Sequence, residues 1–213
     1  MFLKAVIGNL DYEYLPKIIM KKKFELQFIE TLVYSNYGIK VKATQVEGES
    51  DDNFKLNSKN KSYFFKIYPK KTDPKFVKFQ TNLLNYLKDH KKTTNNKLTL
   101  DKKSYATFFD KENEIRYFRM NDWIHGRLWS SVNPINKSLR HELGLESAKL
   151  ILKLRKINSS YLREDFDWDL SNYSWVEKFY KKIHIGKKRQ LIIEKLLVNF
   201  KKKQSEYDGL RKN

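Results

Sequence analysis

The sequence predicts an α+β chain: an antiparallel sheet of about five strands with one helix laid on it, followed by the beginning of a helical lobe. Three observations carry this. Between Ile39 and Pro69, alternating or aromatic runs are separated by polar turns, the pattern of a meander. Asp73-Pro74 then opens an amphipathic helix, with Asp as N-cap and Pro at the first helical position. Beyond Gly126 the apolar residues recur mainly at helical spacing. Strands first and helices afterwards make a small layered lobe, a hinge and a helical lobe.

The N-terminal stretch up to Lys23 is ambiguous, a short apolar start and a basic run. From Phe24 the spacing is helical, with Phe24, Phe28 and Leu32 on one face, and Gly38 stands where a helix ends. Ile39 to Gln45 reads as a strand. A polar turn from Glu47 to Asn53 leads into a second, Phe54 to Asn57. Ser62 to Pro69 is the third, aromatic and β-branched, and Lys66 interrupts it. A lysine in such a strand either meets an anionic partner or snorkels from an edge to water. The Asp73 helix runs to about Lys88, with Phe76, Gln80, Leu83, Leu84 and Leu87 on one face. Gln80 on that stripe needs a buried partner, for which Lys66 is the candidate. Asn95 to Lys102 is a polar connection. Ser104 to Phe109 and Ile115 to Trp123 read as the last two strands. Ile124-His125-Gly126-Arg127 is a hinge, where Gly126 relaxes the backbone. A long helix follows over Ser138 to Lys156, then a compact loop at Phe166 to Leu170, then helices over Ser174 to Ile183 and Lys187 to Lys203. The expected divisions are a helical segment over 1–38, a sheet lobe over 39–126 and a partial helical lobe over 127–213.

Composition narrows the function classes. The chain has 213 residues, enough for one domain or two small lobes. It has no cysteine, which excludes disulfides and thiolate metal sites, and its four histidines show no metal-ligand spacing. No apolar run reaches membrane-spanning length and no signal peptide is visible, so a cytoplasmic protein without a membrane partner is expected. The net charge of +19 raises nucleic acid as a partner. The charge is mostly lysine spread along the chain, with little arginine to read phosphates or bases, so nucleic acid is the less favoured partner.

The order of the local motifs resembles the aminoglycoside phosphotransferase-like branch of the kinase fold, and within it the hydroxylysine kinase-like group. The matching pieces are Tyr37-Gly38-Ile39, the turn from Glu49 to Phe54, Phe64-Phe65-Lys66-Ile67 and Phe79-Gln80. Trp123-Ile124-His125-Gly126-Arg127 resembles that group's Tyr-Leu-Pro-Gly-Arg segment, and Gly144, Ala148 and Leu152 lead towards Trp168-Asp169-Leu170. Together they cover roughly Phe24 to Lys182; their order and spacing carry the resemblance, since short motifs match by chance.

The resemblance implies a nucleotide, ATP or GTP with Mg²⁺, and a small-molecule substrate. Lys66 would hold the α/β-phosphates, and Gln80 takes the slot where kinases place an orienting glutamate. An amide can accept a hydrogen bond from the ammonium without neutralising it; equally, Gln80 is a satisfied core amide. Ser50 and Asn53 lie in the phosphate-loop turn, where Asp51 and Asp52 would repel phosphate unless they face solvent; the alternative is an ordinary polar hairpin. Backbone groups of Asp122, Trp123 and Ile124 would bind the base edge, with Met120 and Ile67 as pocket walls. Trp168 is read as an anchor for its loop, and Asp167 and Asp169 carry no acid/base assignment.

Two carboxylates of this fold have no match: the Asp of a His-x-Asp catalytic loop, and the later Asp that binds Mg²⁺. The sequence thus looks like the N-terminal part of a small-molecule kinase, cut before its catalytic machinery and without catalytic or metal-binding residues of its own. Its substrate would be a hydroxyl of an amino acid or amino-sugar metabolite. Apolar residues of the helical part, among them Leu191, Ile192 and Leu196, then await cover and provide a surface for self-association. The competing classes are a non-catalytic nucleotide-binding or interaction module and a basic nucleic-acid-binding protein.

Overall fold

The computed structural model describes residues 24–48, 50–90, 93–157, 174–180, 182 and 185–211. They fall into two compact units, one within Met20–Tyr161 and one within Leu162–Asn213. Glu49, Asp167, Trp168, Asp169 and the N-terminal 23 residues, on which several sequence readings fall, lie outside the described residues.

The first unit opens with α1, Leu26–Tyr37. Gly38 ends it at φ 68°, donating its N–H to the Tyr34 carbonyl at 2.9 Å. This left-handed cap suits glycine, which carries no Cβ to clash. The sheet follows as β1 (Lys42–Val46), β2 (Asp52–Asn57), β3 (Ser62–Ile67), β4 (Asn96–Lys97), β5 (Ala106–Phe109) and β6 (Ile115–Asp122). Its order is β1-β2-β3-β6-β4, with β5 also paired to β6, and every pairing is antiparallel. The sixth strand is β4, which the sequence reading placed in a polar connection. Two residues are too few for any alternation to show, and their pairing opposite Asn121 and Met120 is a long-range event.

The sheet has two unlike faces because side chains alternate along each strand. Phe54, Leu56, Tyr63, Phe65, Ile67, Phe118 and Met120 point to one side and form a single core with Ile29, Val33 and Tyr37 of α1. The helix read from sequence as a separate N-terminal segment is therefore part of the sheet's own core. Lys55, Phe64, Lys66, Arg119 and Asn121 occupy the other face.

α2 covers Pro74–Tyr86. Asp73 caps it, its carboxylate accepting from the Lys75 amide at 2.8 Å. Replacing Asp73 by alanine should lower stability by about 1 kcal/mol, read from urea unfolding, because one orphan amide loses its partner. The buried stripe is partly rotated from the expected one: Leu87, just past the helix, is buried as expected, but within the helix Val77 and Thr81 are buried, whereas Phe76, Gln80, Leu83 and Leu84 are only half-buried. Thr81 escapes a polarity-based reading because its hydroxyl donates back to the carbonyls of Val77 and Lys78.

After β6 come a short 3₁₀ turn, Trp129–Ser131, and α3, Lys137–Leu154, capped by Asn136. No residue of α3 is buried; Leu143 and Ile151 of its apolar stripe are about half exposed. The second unit contains α4 (Ser174–Tyr180) and α5 (Lys187–Arg211), joined by a Lys201–Glu177 ion pair at 3.0 Å. Leu191, Ile192 and Leu196 of α5 are exposed. No described helix is long and apolar enough to cross a membrane.

Candidate functional site

Register assembles the site. Lys66 on β3 stands opposite Asn53 on β2 and opposite Arg119 on β6, so the three form a row across the sheet. A second row runs Lys55, Phe64, Asn121. Both rows lie on the face away from α1.

Lys66 is half-buried, and its ammonium is held by Asp51, Nζ to Oδ2 at 2.6 Å. Gln80 is not its partner. The Gln80 Oε1 instead accepts from the Tyr68 hydroxyl at 2.9 Å, and that hydroxyl accepts from Arg119 Nε at 2.8 Å. A long cation had a choice of acceptors, and the carboxylate won over the neutral amide. Tyr68 links the two arrangements: the Lys66 Nζ lies 5.4 Å from its ring centroid and the Arg119 Cζ 6.0 Å. Burial pushes the Tyr68 phenol above its ordinary pKa, with Arg119 pulling the other way. The hydroxyl therefore stays protonated at neutral pH and both accepts and donates.

The turn between β1 and β2 also differs from expectation. Neither aspartate faces solvent freely: Asp51 pairs with Lys66, and Asp52 is buried with Arg116 at 3.2 Å. Ser50 is exposed, while Asn53 is buried and its side-chain oxygen has no hydrogen-bond partner among the described residues. Gly48 matters here. A Cβ on it would come within 2.3 Å of Asn53 Nδ2 and 2.6 Å of the Asp51 carbonyl oxygen, so only glycine lets the turn fold this close to β2.

At the hinge, much of the backbone is already used. The Asp122 N–H donates to the Asn95 carbonyl at 3.0 Å, its carbonyl accepts from the Thr94 hydroxyl, and the Trp123 N–H donates to the Ser62 carbonyl at 3.1 Å. Ile124, more than half exposed, makes no hydrogen bond among the described residues. The hinge backbone groups left without a partner among the described residues are thus the Trp123 carbonyl and the Ile124 peptide. Lys55 places its ammonium 4.8 Å from the centre of the Trp123 ring. Met120 and Ile67 cannot wall a pocket on this face, because both belong to the core under α1. A cavity of about 260 Å³, bounded by Phe24, Phe28, Phe108, Lys70 and Arg116, does not include Lys66 either.

Sequence reasoning missed Tyr68, Arg119 and Asn121. The signal was their parity: Tyr68 is two residues beyond Lys66, and positions 119 and 121 alternate with the core-facing 118 and 120. As a whole the face offers cations and neutral donors, with Asp51 as the carboxylate that pairs with Lys66. It can hold an anion.

No family model matches the sequence, and no curated protein matches it. Solved structures do. Spectinomycin phosphotransferase, in complex with ADP and spectinomycin, superposes with a TM-score of 0.53 at 17% identity, over 76% of this chain and 48% of that one. An amicoumacin kinase in complex with AMP-PNP, Ca²⁺ and its ligand gives 0.56 at 13% identity, over 80% and 51%. The chain has the fold of small-molecule kinases. A microcompartment-associated aminopropanol kinase gives 0.53 at 11% identity, over 67% of this chain and 45% of that one. The chain thus spans about half the length of these kinase-fold structures. The kinase-like fold expected from the motifs stands; the finer likeness to hydroxylysine kinases finds no counterpart among these three.

Proposed function

We propose that this chain is the nucleotide-holding part of a small-molecule kinase, whose whole would transfer the γ-phosphate of ATP or GTP to a hydroxyl of an amino acid or amino-sugar metabolite. The observation that carries the reading is the half-buried Lys66, in a row with Asn53 and Arg119, on the sheet face away from the α1 core. Two of the kinase-fold structures are complexes with ADP and AMP-PNP, which supports a nucleotide as ligand.

On this reading the phosphates compete with Asp51 for the Lys66 ammonium. Asn53 and the backbone of the turn lie beside them, with Ser50 at the rim. The Trp123 carbonyl and the Ile124 peptide meet the base. Mg²⁺ would arrive with the phosphates. Among the described residues no three His, Asp or Glu side chains stand where they could hold a metal ion. What the chain itself supplies is charge and position, the larger part of catalysis in this class.

The test is calorimetric titration with Mg²⁺-ATP and Mg²⁺-GTP. Lys66→Ala should weaken binding by about tenfold or more, the worth of one charge-assisted hydrogen bond. Binding that survives Lys66→Ala unchanged would overturn the assignment.

A further inference from the structure

We infer that Arg119 reads charge for the Lys66 face and makes it selective for a polyphosphate over a neutral or singly charged ligand. The inference rests on the nucleotide reading for the identity of the ligand, but not for the chemistry. Arg119 is nine-tenths buried, yet its contacts among the described residues are to Tyr68 and Asn121 and none is to a carboxylate. Its two hydrogen bonds go to neutral groups, Nε to the Tyr68 hydroxyl and Nη1 to the Asn121 side-chain oxygen. The outer nitrogen, Nη2, makes none among the described residues.

A buried guanidinium without a counter-ion is costly, and the arrangement persists only where something else repays it. The surroundings withhold every obvious partner. α2, whose Gln80 ends the Arg119–Tyr68–Gln80 relay, contains no acidic residue over Pro74–Tyr86. Gln80 itself is isosteric with the glutamate that would have balanced the charge. Asp51 is taken by Lys66, and Asp52 by Arg116. Beside Arg119, the Asn121 Nδ2 is also buried and has no acceptor. The face therefore holds a surplus of positive charge and of unfilled donors next to Lys66, and the matching ligand is rich in negative oxygens. Diphosphate and triphosphate groups have that chemistry.

The experiment compares ATP, inorganic pyrophosphate and adenosine by calorimetry on the full chain and on Arg119→Gln, Arg119→Lys and Gln80→Glu. Arg119→Gln should weaken ATP and pyrophosphate by about tenfold or more, as expected for loss of a charge-assisted contact. Adenosine should be unaffected, and Arg119→Lys should restore most of the loss because it keeps the charge. Gln80→Glu should mimic Arg119→Gln by neutralising the guanidinium through Tyr68, and it carries the test if Arg119→Gln fails to fold. Equal loss for adenosine and ATP, or undiminished ATP binding by Arg119→Gln, overturns the inference. Pyrophosphate binding that depends on Arg119, in a chain that ignores ATP and GTP, would sustain it while refuting the nucleotide reading. A chain that binds neither refutes both.

Discussion

Replacing Arg116 by methionine should destabilise the sheet unit by about 3–5 kcal/mol, the cost of breaking a buried ion pair from one side. Arg116 is 6% exposed. Its guanidinium donates from Nη2 to Asp52 Oδ2 at 3.2 Å, and from Nη2 and Nε to the Tyr68 carbonyl at 2.8 and 3.1 Å. Asp110 lies 3.6 Å from Nη1, and the Phe24 ring centroid is 5.3 Å from Cζ. Methionine fills part of the volume but leaves the Asp52 carboxylate buried without a cation. The Tyr68 carbonyl also loses its donors, and that residue sits beside Lys66. Urea unfolding followed by circular dichroism measures the loss. The control is the double variant Arg116→Met with Asp52→Leu. It should recover a large part of the stability, since removing both charges together spares the unpaired one. A loss below about 1 kcal/mol in the single variant would show that the pair is solvated.

Phe65→Ala is expected to cost about 3–5 kcal/mol as well, by lost burial and by the cavity left behind. Phe65 is fully buried, with its ring centroid 5.3 Å from that of Phe118 and 6.4 Å from that of Phe54. Phe118 in turn touches Phe108 and Tyr37, so the gap opens in the middle of a contiguous aromatic layer. Phe64→Ala, one residue earlier, faces the other side and is only half-buried. It should cost clearly less in the same unfolding experiment. Equal losses at the two positions would contradict the assignment of the faces. The contrast also bears on function, because Lys66 follows directly and the packing of Phe65 and Ile67 holds the strand that presents it.

Much of this was legible in the sequence. The Gly38 cap, the Asp73-Pro74 start, the aromatic lysine strand and the helical spacing beyond Gly126 are local signals, set by backbone sterics and side-chain periodicity within a few residues. They suffice for element type and for the α+β order. Tertiary structure alone decided who pairs with whom. Lys66 chose Asp51 over Gln80, Asp52 turned inward to Arg116, and Tyr68 became the link between Arg119 and Gln80. Each is a choice among partners between 12 and 64 residues apart, made by strand register and helix placement. A one-residue shift in register would reverse the faces and every pairing with them. Charge and size can be read from a residue's name, but a buried charge's partner exists only once the sheet has brought two distant strands side by side.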